Sequence, residues 1–130
     1  MRTIKFSPVM RALAVCIGTL ALAGASQAAG DKSAYESAKA SAKSTYEAAK
    51  TKCDALKDNA KDICVAEAKA ARTRTDEQAE AVYKNTPKAR QHAIDEIAEA
   101  DYKVAAEKCD AMTGDAKSAC VKAAKAKYGM

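Results

Sequence analysis

Two patterns of apolar and polar positions divide the chain. From Ala12 to Ala25 apolar residues run almost without interruption, behind the cations Arg2, Lys5 and Arg11. From residue 31 onward the apolar positions recur every three or four residues, at Tyr35, Ala38, Ala42, Tyr46, Ala49, Cys53 and Leu56. That spacing predicts an amphipathic helix with one buried stripe. β-branched and aromatic residues are few and never alternate with polar ones, which argues against strands, while Ala, Lys, Glu and Asp favour helix throughout.

The first run reads as a secretory signal peptide. A run of 14 residues from 12 to 25 is shorter than the ~20 apolar residues needed to span a bilayer. Ser26-Gln27-Ala28 places small residues at −3 and −1 of a signal-peptidase site, so cleavage is expected between Ala28 and Ala29. Leu13-Ala14-Val15-Cys16 resembles a lipobox. However, Val15 stands where a smaller residue is required, and apolar sequence continues past Cys16. We read Cys16 as one more small residue of the apolar run.

The second pattern repeats. Sliding the chain by 56 residues superimposes Cys53 on Cys109, Cys64 on Cys120 and Tyr46 on Tyr102, with 13 identities over positions 46–71. An internal duplication of a helical unit is the expectation. It carries the first stripe onto Gln91, Ile94, Ala98, Tyr102, Ala105, Cys109 and Met112. Breakers fall midway between the cysteines of each copy, at Lys57-Asp58-Asn59 and Thr113-Gly114-Asp115. There Gly or Asn suits a left-handed helix end and Asp a following cap. Thr86-Pro87 marks a further boundary, with Thr as cap and Pro in the first turn. Thr75-Asp76-Glu77-Gln78 has the form of a capping box and predicts a break or kink.

Removing a leader changes the charge and the cysteine count. The full chain carries +5, but three cations and no acids precede residue 29, which leaves +2. A weak, mixed surface gives no case for nucleic acid or an anionic membrane as partner. Four cysteines remain, an even number that suits disulfides in an exported chain. Beyond residue 28 the chain has no Trp, no Phe and one Leu, so its core must be thin and cross-links should matter. Cysteines 11 apart on one straight helix lie ~16 Å apart, beyond the span of a disulfide, whereas a fold-back at each tip brings them together. This favours Cys53–Cys64 and Cys109–Cys120. The rival, Cys53–Cys120 with Cys64–Cys109, needs helices unbroken through Asn59 and Gly114.

Candidate chemistry is sparse. His92 is the only histidine, with no partner at metal-ligand spacing, so neither a metal nor another cofactor is expected. No phosphate loop and no nucleophile–base arrangement is present in the sequence. Asp95, Glu96, Glu99 and Asp101 form an acidic cluster that reads as a solvated helix face. Asp54 and Asp110, each following a cysteine, read as surface charges rather than groups that tune a thiol. Tyr35 and Tyr46 read as the large members of an Ala-packed seam.

The segment Lys-Cys-Asp-Ala-x5-Lys-x2-Cys-Val, repeated among Ala/Lys/Glu helices behind a leader, resembles a group of small exported Gram-negative proteins often labelled cell-envelope biogenesis or TolA-like. The resemblance implies a periplasmic helical protein without an assigned reaction. Neither the membrane anchor nor the long stalk of TolA itself is expected from this sequence. The expectation is an all-α protein. A signal peptide (1–28) precedes two disulfide-clipped antiparallel helical hairpins, at 29–85 and 86–130. Its expected role is structural or interactive and non-enzymatic, with other envelope proteins or a second copy as partner and no small-molecule substrate in view. The alternatives are a membrane- or ligand-associating amphipathic protein, or a thiol-redox or metal-binding one.

Overall fold

The computed structural model describes residues 30–130. The leader, the cleavage position at Ala28 and Ala29, and Cys16 lie outside the described residues. Four helices account for nearly all of the described chain: α1 Lys32–Cys53, α2 Asp58–Lys84, α3 Pro87–Asp110 and α4 Gly114–Tyr128. Side chains and backbone punctuate them. Asp31 accepts a hydrogen bond from the Ser33 amide at the start of α1 (2.9 Å), and Thr86 accepts one from the Ala89 amide at the start of α3 (3.1 Å), with Pro87 as its first residue. Asn85 and Gly129 end α2 and α4 in the left-handed conformation.

The order of packing is that of the sequence. α2 lies against α1 and α3, and α3 against α4; among the described residues α1 touches neither α3 nor α4, and α2 does not touch α4. Burial states the same thing residue by residue. Ala68 and Ala70 of α2 are both buried, yet two residues are ~200° apart around a helix, so α2 is covered from two opposed sides. Ala93 and Cys109 of α3 are likewise buried on opposed sides, ~160° apart. The helices therefore form an antiparallel row, not a closed four-helix bundle.

A row of this kind buries little. Among the described residues the buried ones are Ala42, Ala68, Ala70, Ala93 and Ala124 with Cys53 and Cys109, and no polar side chain is buried. Alanine lets the helices approach closely but contributes little transfer free energy. Ion pairs span the α2–α3 seam at its surface, Arg74 with Asp101 at 2.7 Å and Glu67 with Lys108 at 2.7 Å. Exposed pairs of this kind stabilise by ~0–1 kcal/mol each.

Three expectations need correction. α2 runs without a break through Thr75-Asp76-Glu77-Gln78. The Thr75 hydroxyl donates back to the Ala71 carbonyl (3.2 Å), and Asp76 pairs with Arg72 (3.3 Å), so neither is free to cap a new helix. At the first tip the left-handed residue is Asp58 (φ +50°), not Asn59. Asn59 instead uses its side chain, whose Nδ2 donates to the Glu107 carbonyl of α3 (2.9 Å). The stripe on α1 is buried or half-buried from Tyr35 to Cys53, but Leu56 lies beyond the helix end and is exposed. Its copy on α3 fails at both ends. Gln91, Ile94 and Met112 are exposed, and Ala93 is buried instead.

Candidate functional site

The cysteines form the best-defined constellation. Cys53 is joined to Cys64 and Cys109 to Cys120, each across a tip, with Cα–Cα distances of 5.5 and 5.6 Å. Each cystine fastens the end of one helix to the second turn of the next. Cys53 and Cys109 are the largest fully buried side chains among the described residues. Around them the two tips share details in one register. Asp54 pairs with Lys61 at 3.0 Å and Asp110 with Lys117 at 2.9 Å. The amides of Leu56 and Met112 donate to the Cys53 and Cys109 carbonyls, both at 2.9 Å. The hydrogen bond and charge of Lys61 hold the Asp54 carboxyl below its usual range. Both aspartates thus face lysines at the surface, on tips whose cysteines are paired.

The other sequence candidates disperse. His92 is exposed on α3, with Glu77 at 3.9 Å and Glu96 at 4.0 Å. The acidic cluster is shared out: Asp95 accepts from Gln91 (2.8 Å), Glu99 pairs with Lys103 (2.7 Å), and Asp101 reaches across to Arg74. Among the described residues no group of three or more His, Cys, Asp or Glu comes together in a way that could hold a metal ion. Tyr35 stacks on Tyr83 of α2, with ring centroids 4.8 Å apart, and Tyr46 lies beside Arg72, 5.5 Å from its ring. Both tyrosines are half-buried on the α1–α2 seam.

Sequence reasoning missed the surfaces of the row. One groove, of ≈ 810 Å³, lies over α2 and α3 with Tyr46 on its rim, and is lined by charges of both signs such as Arg72, Asp76, Glu99 and Lys103. A second, of ≈ 770 Å³, lies at the α2–α3 turn, between Ala81 and Val82 of α2 and Ala93, Ile94 and Ile97 of α3. Its only charged lining residue is Arg90, which donates to the Asn85 side chain (3.1 Å). Val82 and Ile94 are 70 % and 60 % exposed. Hydropathy alone places such residues inside. The signal that could have found them is the count of neighbours, because a row leaves two faces of every helix uncovered.

Arg90 comes close to the groove because the chain reverses at Asn85 and Thr86. Gly30 closes the same corner, since its amide donates to the Tyr83 carbonyl (3.0 Å), one of the C-terminal carbonyls that α2 cannot satisfy itself. The arrangement offers an apolar trough with one cation and no reactive group, a geometry suited to holding a complementary chain. Among the described residues no helix is long and apolar enough to cross a membrane. No protein-family model, curated protein or solved structure matches the chain.

Proposed function

We propose that this is an exported, non-enzymatic helical protein of the cell envelope that works through contacts with other protein chains, in the periplasm of a Gram-negative cell. One observation carries the reading: the interior is built from alanine and cystine, while Val82, Ile94, Leu56 and Met112 are exposed. A chain with so few large apolar residues that leaves these four outside, with Met130 as a fifth among the described residues, has its recognition surface there. Two cystines fit an oxidising compartment, and the leader supplies the route. The matched tips support a duplicated hairpin, each copy held by its own cross-link.

Photo-cross-linking in living cells tests this. A benzophenone amino acid at Val82 or Ile94 should give discrete protein adducts, and one at the polar, exposed Lys122 should not. N-terminal sequencing of the periplasmic fraction should begin at Ala29. If Val82 and Ile94 give no adduct above the Lys122 control, the interaction reading is lost; a cytoplasmic, uncleaved protein removes the envelope assignment.

A further inference from the structure

Of the five large apolar side chains exposed among the described residues, four gather at two ends of the row, and the fifth, Met130, follows α4. α2 is 27 residues long, or ~40 Å, and separates the cystine tips from the α2–α3 turn. Both tips lie at one end, held side by side by the Asn59 bond to the Glu107 carbonyl. They present Leu56 and Met112, 42 % and 44 % exposed. The opposite end presents Val82 and Ile94 along the apolar groove.

Charge distinguishes the two ends. Residues 81–93 include Lys84, Lys88 and Arg90 and no acid, and Arg90 meets no carboxylate among the described residues. At the tip end, Asp58 stands two residues after Leu56 at a left-handed corner and meets no cation among the described residues. The second tip differs: Gly114 takes the left-handed corner two residues after Met112, and Asp115 follows one residue later. The first tip is thus a protruding apolar residue followed by Lys57 and Asp58, neither in an ion pair among the described residues. The groove is an apolar trough with an unpaired guanidinium at its edge. The complementarity is between opposite ends, so one copy cannot satisfy itself.

We propose that a second copy of this chain occupies the α2–α3 groove with its cystine tip, Leu56 between Val82 and Ile94 and Asp58 against Arg90, so that copies join head to tail. Such a contact is heterologous and leaves a free tip and a free groove at the two ends of every assembly, so it grows linearly instead of closing as a symmetric dimer. The inference rests on the proposed interaction role and names its partner.

Sedimentation velocity on the oxidised protein, produced with its own leader, tests it. The wild-type chain should pass from monomer to dimer and longer species as concentration rises, less so at high salt. The groove variant Val82→Asp/Ile94→Asp and the tip variant Leu56→Asp/Met112→Asp should each stay monomeric. Mixed in equal amounts, they should form a dimer and stop there, because the seated tip, with Leu56 and Asp58, and a competent groove each remain once per pair. Arg90→Glu should raise the association midpoint about tenfold or more, and adding Asp58→Arg should restore it. All substituted positions are exposed, and helical circular dichroism checks that each variant is folded. A monomeric wild-type chain at every concentration overturns the proposal, as does a tip variant that still dimerises through its groove. So does a groove that loses liposome binding on substitution while self-association is unchanged. A monomeric chain that still gives adducts to other proteins in cells leaves the interaction reading standing.

Discussion

Asp58 and Gly114, the first residues of α2 and α4, occupy equivalent places 56 residues apart and share one backbone conformation, with φ of +50° and +58°. Glycine adopts this region freely, whereas a side chain meets the following carbonyl. A Cβ at Gly114 would have nothing within 4 Å, so only backbone strain opposes substitution there. Asp58→Gly should therefore stabilise the fold by ~0.5–1 kcal/mol, and Gly114→Ala should destabilise it by ~1 kcal/mol. Urea unfolding followed by circular dichroism measures both, and an unchanged midpoint for Gly114→Ala contradicts the argument.

These tips were legible in the sequence because their signals are local. Gly114 is the lone glycine between residues 31 and 128, and Thr86-Pro87 has one structural meaning at a helix start. The α1 stripe was legible because α1 has a neighbour on one side only. The same pattern misleads on α3, which lies between α2 and α4. There Ala93 is covered and Ile94, the next residue, is not. The capping-box reading failed for a related reason, since Thr75 and Asp76 bond back within their own helix. The apolar groove was beyond sequence reasoning altogether. Its walls come mainly from two helices, and among the described residues no α1–α3 or α2–α4 packing closes the row over it.

Cross-linking should decide whether the row holds at all. Among the described residues seven buried apolar ones, five of them alanine, make a core too thin for much hydrophobic stabilisation. Each cystine closes a loop between residues 11 apart, and in the chain-entropy account a loop of this size contributes about 3 kcal/mol. Cys53→Ser/Cys64→Ser should lower stability by about 2–5 kcal/mol, and full reduction should unfold the chain in mild conditions. Thermal melts with and without a phosphine reductant measure this; equal melting temperatures would show that the helix seams suffice alone.

Gly30 is a position of close approach. A Cβ there would lie 2.7 Å from the Tyr83 Cα and 2.8 Å from the Val82 carbonyl oxygen, both backbone atoms that cannot step aside. Gly30→Ala should push the start of α1 off α2, breaking the Gly30–Tyr83 hydrogen bond and loosening the Tyr35–Tyr83 stack. A loss of ~1–3 kcal/mol is expected from overpacking. Hydrogen exchange should quicken in the first turns of α1 while the cystine tips stay protected. Uniform quickening along the chain would mean that this corner is not a local clasp.

The pH response should come from surface pairs and have two arms. Lys61 donates to Asp54 and holds its carboxyl below the usual range, and Lys84 does the same for Glu80. A carboxyl lowered by folding contributes stability that is complete above its unfolded pKa and is lost as pH falls through the folded value. The acid arm therefore begins as pH falls into the ordinary carboxylate range and ends below it. Lys84 is raised by the hydrogen bond and charge of Glu80, and Lys39 by those of Tyr35. Their contribution is complete below the ordinary lysine value and is lost as pH rises through the raised one, which sets the alkaline arm. Both arms should be shallow because the pairs are exposed. Carboxyl NMR titration checks the cause directly. Lys61→Ala should return Asp54 to its ordinary range and leave Glu80 where it is, and an Asp54 that stays low without Lys61 would refute the assignment.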